Sequence, residues 1–98
     1  MSNTKGLLGL AASSRKISTG EMVFVSIRKK QAKLVIIGDD LGNNTRKKLI
    51  DKCTFYEIPY VFYESSKLLG EAIGDYNKKY VAILDEGFAK KLEVCLKG

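Results

Sequence analysis

The chain has 98 residues, 45% hydrophobic and 29% charged, with a formal net charge of +6. That fits one globular domain over residues 1–98 rather than a disordered segment. The absence of histidine excludes histidine-based triads and histidine-ligated metals, and no apolar run reaches the ~18 residues of a membrane span.

No charged stretch leading into an apolar signal core opens the chain, so a cytoplasmic protein with no membrane partner is expected. The basic excess favours a polyanion as partner. Cys53 and Cys95 both fall in apolar helical stripes, which predicts two reduced core thiols.

In chain order, the spacing of Leu7, Leu8, Leu10, Ala11 and Ala12 predicts a first helix over 4–13. Ile17, Ser18 and Thr19 make a short extended piece. Ser18 and Glu21 have the spacing of a capping box, so a second helix is expected over about 20–30. Val23 and Ile27 should face its core, while Gly20, Glu21, Phe24 and Arg28 share another stripe. Residues 32–38 contain four consecutive apolar residues, the pattern of a strand buried on both faces. A third helix is expected over 43–56, capped by Asn43 or Asn44 and stopped at Ile58 and Pro59. Tyr60, Val61, Phe62 and Tyr63 form the next strand.

A fourth helix opens at Ser65 and Ser66 and ends at Gly74. Residues 75–79 are a polar loop and residues 80–84 a strand. Asp85 should cap a last helix over 86–96. This alternation predicts an α/β fold, a three-layer α-β-α sandwich around a four-stranded mixed, mostly parallel sheet.

Asp39, Asp40, Asp85 and Glu86 each follow a strand. In a parallel sheet they would converge at the carboxyl ends, where such a cluster could hold Mg²⁺. Asp85 and Glu86 equally suit a helix start, and Asp39 with Asp40 a turn. No phosphate-binding glycine motif and no nucleophile–base pair stands out, so no enzyme activity, metal or cofactor is expected.

The basic side is more particular. Arg46, Lys47 and Lys48 lie near the start of the third helix, where cations oppose the helix dipole by about 0.3–1 kcal/mol each. Arg15 and Lys16 precede the second helix, Arg28 lies within it, and Lys78 and Lys79 lie in the polar loop. Cations around a helix start suit phosphate binding.

These segments, taken together, resemble the L7Ae/L30e/Gadd45-type ribosomal-protein family. The likeness rests on Ser-Thr-Gly-Glu at 18–21, Ala-Lys-Leu-Val-Ile-Ile at 32–37, Asp-Asp at 39–40 and Asn-Thr-Arg-Lys-Lys at 44–48. It continues through Ile-Pro-Tyr-Val at 58–61, Leu-Gly-Glu-Ala-Ile-Gly at 69–74 and Asp-Glu-Gly-Phe-Ala-Lys-Lys-Leu at 85–92. It covers almost the whole chain and is nearest to short bacterial members.

The resemblance implies an α-β-α sandwich that binds RNA, of the kink-turn or ribosomal kind. In the family, RNA is held by the start of the second helix and by the loop before the last strand. By position, that places Ser18, Thr19, Gly20, Glu21 and Phe24 on one side and Tyr76, Asn77 and Lys78 on the other. Arg15, Lys16, Arg28, Arg46, Lys47 and Lys48 are then the phosphate-neutralising cations.

Thr19 and Glu21 match the family's Gly-Thr-Asn-Glu opening. Gly20 stands in place of its Asn, and Phe24 in place of a Lys. The first change removes an amide able to read a base edge; the second removes a cation. Phe24 and Arg28 on one stripe offer stacking and phosphate pairing instead. The alternative is a protein-interaction adaptor that has lost kink-turn binding, with Phe24 as a protein contact.

Overall fold

The apolar runs at 34–38, 60–63 and 80–83 become the strands of one sheet. The computed structural model describes residues 3–97. Its order is α1 (Thr4–Ser13), β1 (Ile17–Thr19), α2 (Glu21–Arg28), β2 (Leu34–Gly38), α3 (Asn43–Phe55), β3 (Tyr60–Tyr63), α4 (Ser66–Ile73), β4 (Tyr80–Ile83) and α5 (Glu86–Lys97).

Strand side chains alternate between faces, and this divides the core. Leu34, Ile36, Val81 and Ile83 meet Leu8, Leu69 and Leu92 under α1, α4 and α5. Val35, Ile37 and Ala82 meet Val23 and Ile27 of α2 and Leu49 and Cys53 of α3. The three-layer sandwich and the mixed sheet are as expected.

The strand directions are less parallel than expected. The order is β1-β4-β2-β3. β4 sits between β1 and β2 and runs against both, so only β2 and β3 pair in parallel. An unbroken apolar run records burial on both faces, which a central antiparallel strand shows equally well.

Ser65 caps α4 by accepting from the Leu68 N–H at 3.1 Å, and Gly74 ends it in the left-handed region at φ 76°. Asp85 caps α5 by accepting from the Phe88 N–H at 2.9 Å. Two expected caps are corrected. α2 starts from Gly20 with no side-chain cap, because Ser18 is committed to β1, opposite Ala82. Its hydroxyl lies 3.1 Å from that of Ser26. α3 starts from Gly42, again without a side-chain cap. Asn43 and Asn44 are already helical.

The cysteines differ. Cys53 is buried, and burial pushes its thiol up to about 12. Cys95 is exposed, against the expectation of a core thiol. The buried arc of α5 runs through Ala89 and Leu92, and Cys95 lies at its margin. A disulfide reagent added to the native protein near neutral pH should therefore modify Cys95 rapidly. Cys53 should react only after denaturation, because the thiolate is the nucleophile. Mass spectrometry of the labelled peptides checks the order.

Candidate nucleic-acid interface

The reversed direction of β4 decides what meets what. Thr19 pairs with Val81 and Ile37 with Tyr80. The loop before β4 therefore arrives at the end of the sheet where β1 leads into α2 and β2 leads into α3. There it closes one side of a groove of about 430 Å³. Gly20, Leu41, Gly42 and Thr45 line the other side, facing residues 77–80.

Two helix starts open on this groove. Gly20 has φ 60° and ψ −138°, a conformation that glycine takes without a Cβ penalty. Gly42 precedes α3. With neither start capped by a side chain, first-turn N–H groups remain without intrahelical partners. Together with the positive end of each helix dipole they favour an anion. The Lys78 ammonium lies across the first of these starts, 3.4 Å from where a Cβ on Gly20 would sit.

No carboxylate lines the groove. Asp40, next to it in sequence, accepts from the Ser66 N–H and hydroxyl, each at 2.7 Å. These bonds hold its carboxyl below the usual range, and the charge of Lys79 adds to the effect. Next to the groove, Phe24 packs edge-on against Tyr80 with ring centroids 6.0 Å apart. The Lys48 ammonium stands 5.0 Å from the centroid of the Phe24 ring. Burial, then the charge of Glu21, raises the pKa of the Tyr80 phenol.

The expected residues thus fall into groups. Gly20, Asn77 and Lys78 line the groove, flanked in sequence by Thr19 and Glu21. Phe24 and Lys48 adjoin it through Tyr80. Tyr76 belongs to the same loop and is 74% exposed, outside the groove lining. Lys47 is exposed on α3. Arg46 is engaged elsewhere: it donates to the Asp39 carbonyl at 3.0 Å, pairs with the Asp39 carboxylate at 3.8 Å and stacks 4.4 Å over Phe62. The Ser18 hydroxyl is directed to Ser26.

Arg15 and Lys16 are not brought to the groove. They precede Ile17, which pairs with Ile83 at the far end of the sheet. Arg28, in the last turn of α2, lies toward that end too.

Strand direction also separates the acidic residues. Asp39 and Asp40 follow β2, whereas Asp85 and Glu86 follow the antiparallel β4, so the two pairs stand at opposite ends. Among the described residues, no group of three or more His, Cys, Asp or Glu is placed to hold a metal. No helix there is long and apolar enough to cross a membrane.

Sequence reasoning did not single out Leu41, Gly42, Thr45 and Tyr80. Their signal is positional: residues 38–42 connect a strand to a helix at the end where the loop before β4 returns. Gly70 entered the sequence reading only as part of the resemblance, with no structural role. A Cβ there would stand 3.0 Å from the Asp75 carbonyl oxygen and 3.1 Å from the Tyr76 Cα, so the loop rests directly on α4.

Residues 2–93 match the Ribosomal protein L7Ae/L30e/S12e/Gadd45 family. The chain is 47% identical over 87 residues to a Bacillus subtilis (strain 168) protein named RNA-binding protein YlxQ, covering 88% of this chain and 87% of that one. A protein of the same name from Enterococcus faecium is 38% identical over 93 residues, covering 94% and 89%. A solved structure of a Bacillus halodurans protein of unknown function is 37% identical, covers both chains completely and superposes with a TM-score of 0.94. The Giardia lamblia 15.5kD RNA binding protein shares the fold, with a TM-score of 0.74 at 21% identity over 95% of this chain and 81% of that one.

Proposed function

The chain belongs to the ribosomal protein L7Ae/L30e/S12e/Gadd45 family, and on that footing we propose that it binds structured RNA of the kink-turn or ribosomal kind, as a single domain and not as an enzyme. One observation carries the reading. Two uncapped helix starts, at Gly20 and Gly42, share a groove with Lys78 and Lys79 and with no carboxylate. Such a groove suits a sharply bent backbone, where phosphates crowd together. The relatives named as RNA-binding proteins support it.

In this reading, backbone N–H groups and the two lysines take phosphates. Asn77 is free to donate to and accept from a base edge. Glu21, exposed at the first turn of α2, accepts from a base amine. Phe24 fills the place of the family's lysine, and Lys48 reaches over its ring from α3, returning a cation to that neighbourhood. The ring is half-buried and packs edge-on against Tyr80, which leaves less of it for a protein contact.

The test is an electrophoretic shift with a kink-turn RNA and a straight duplex of equal length at low salt. Preferential binding of the kinked RNA, weakened on the order of tenfold by Glu21→Ala, is expected. Equal binding of both RNAs removes the kink-turn reading. Absence of binding to either leaves the adaptor reading in its place.

A further inference from the structure

The far end of the sheet carries a second basic surface. Lys16 and Lys33 meet there, because the Lys16 carbonyl accepts from Leu84 N–H at 2.7 Å and the Lys33 N–H donates to the Ile83 carbonyl at 2.7 Å. Arg15 stands beside Lys16 at the end of α1, while Arg28, Lys29 and Lys30 lead from α2 toward Lys33. These cations are exposed, and among the described residues none is in an ion pair.

Two carboxylates of that end are engaged: Asp85 caps α5 and Glu86 pairs with Lys90 at 3.7 Å. Glu57 precedes β3, the strand paired with β2, so one carboxylate stands on the Lys33 side of an excess of cations.

Helix dipoles account for Arg28 and Lys29, since cations are favoured at a helix C-terminus. They do not account for the rest. Arg15 and Lys30 both have φ 58°, a conformation in which glycine or asparagine carries less strain. The equivalent position after α3 is Glu57 at φ 59°, so the backbone there does not itself call for a cation. Lys33 follows the turn after α2 and leads into β2, beyond the helix.

We infer that this end holds the phosphate backbone of a second segment of the RNA whose bend occupies the groove, so that the protein grips an arm as well as the kink. This rests on the reading of the groove given above. β2 separates the two ends by about 17 Å. A duplex carries about one charge per 1.7 Å of axis, so an arm running along α2 brings several phosphates past Arg28 to Lys30 and Lys33. Flexible exposed cations suit phosphates; the exposed ring at that end, Phe55, belongs to the end of the neighbouring α3.

The test compares a kink-turn RNA with short arms against the same RNA with either arm extended by about one helical turn. Extending one arm should tighten binding of the native protein by about tenfold and steepen its salt dependence. The variant Arg15→Gln, Lys16→Gln, Lys30→Gln, Lys33→Gln should lose that gain yet hold the short RNA as the native protein does. Its melting curve should be unchanged; should it melt early, Lys30→Gln with Lys33→Gln alone should remove part of the gain. An extension that brings no gain with either arm, or a gain the variants retain, overturns the inference. If the native protein fails to bind the short RNA, it is the groove reading that fails, and this one falls with it.

Discussion

If the groove is the RNA surface proposed above, reversing the charge of Lys78 and Lys79 together, as Lys78→Glu with Lys79→Glu, is expected to abolish RNA binding while leaving the fold intact. Lys78 lies across Gly20, where α2 begins, and both lysines line the groove. The change removes two phosphate partners and puts two anions in their place. At about 0.15 M salt the loss should be on the order of a hundredfold or more. Neither side chain forms an ion pair among the described residues, but Lys79 favours the charged Asp40. A stability loss of up to about 1 kcal/mol is therefore expected from the two surface substitutions, beside the loss of binding. Fluorescence anisotropy with a labelled kink-turn RNA, read beside a thermal melt, separates the two effects. Unchanged affinity would remove the groove from the RNA surface.

The second large effect is on stability. Gly38→Ala is expected to cost about 3 kcal/mol and to lower the melting temperature by about 15 °C. A Cβ at Gly38 would overlap the Ser66 hydroxyl and come within 2.7 Å of the Ser66 Cα and 2.8 Å of its nitrogen. The backbone at the start of α4 would have to move. Asp40 would lose its two bonds to Ser66, and with them the anchor of the loop that ends at Gly42. A useful control is Gly42→Ala, where a Cβ meets nothing within 4 Å and φ is −58°. That variant should stay within about 1 kcal/mol of the native protein. Equal melting temperatures for the two would mean that α4 does not press on β2 as described.

Much of the fold was legible because the signals were local. Residues 34–38 and 60–63 are apolar runs between polar ones, and Ser65 and Asp85 are side-chain caps placed just before apolar stripes. Ser18 shows where local evidence fails: its spacing to Glu21 is that of a capping box, but β1 is fixed by pairing with β4, some sixty residues away. That distant pairing outweighs the local pattern.

The direction of β4 was not legible, since a run such as Tyr80, Val81, Ala82, Ile83 reports burial and says nothing of orientation. The separation of the acidic residues and the approach of Lys78 to Gly20 follow from it. A parallel β4 would have gathered Asp39, Asp40, Asp85 and Glu86 and kept Lys78 away from Gly20. The antiparallel strand does the reverse. The start of α2 and the loop before β4, the two segments the resemblance named, meet at one groove; Leu41 and Gly42, between β2 and α3, line it too, though no residue type there marks a site.

The central position of β4 also bears on how the protein comes into being. β1 is hydrogen-bonded only to β4, and the far wall of the groove is the loop that leads into β4. A nascent chain emerging from its N-terminus has α1, α2 and α3 available while β1 has no strand to pair with. Contacts between residues so far apart close late, because loop-closure entropy must be met before they form. The groove therefore does not exist on any partly synthesised chain that stops short of residue 77. Completion of the groove and completion of the sheet are one event, so an unfinished chain carries no complete groove.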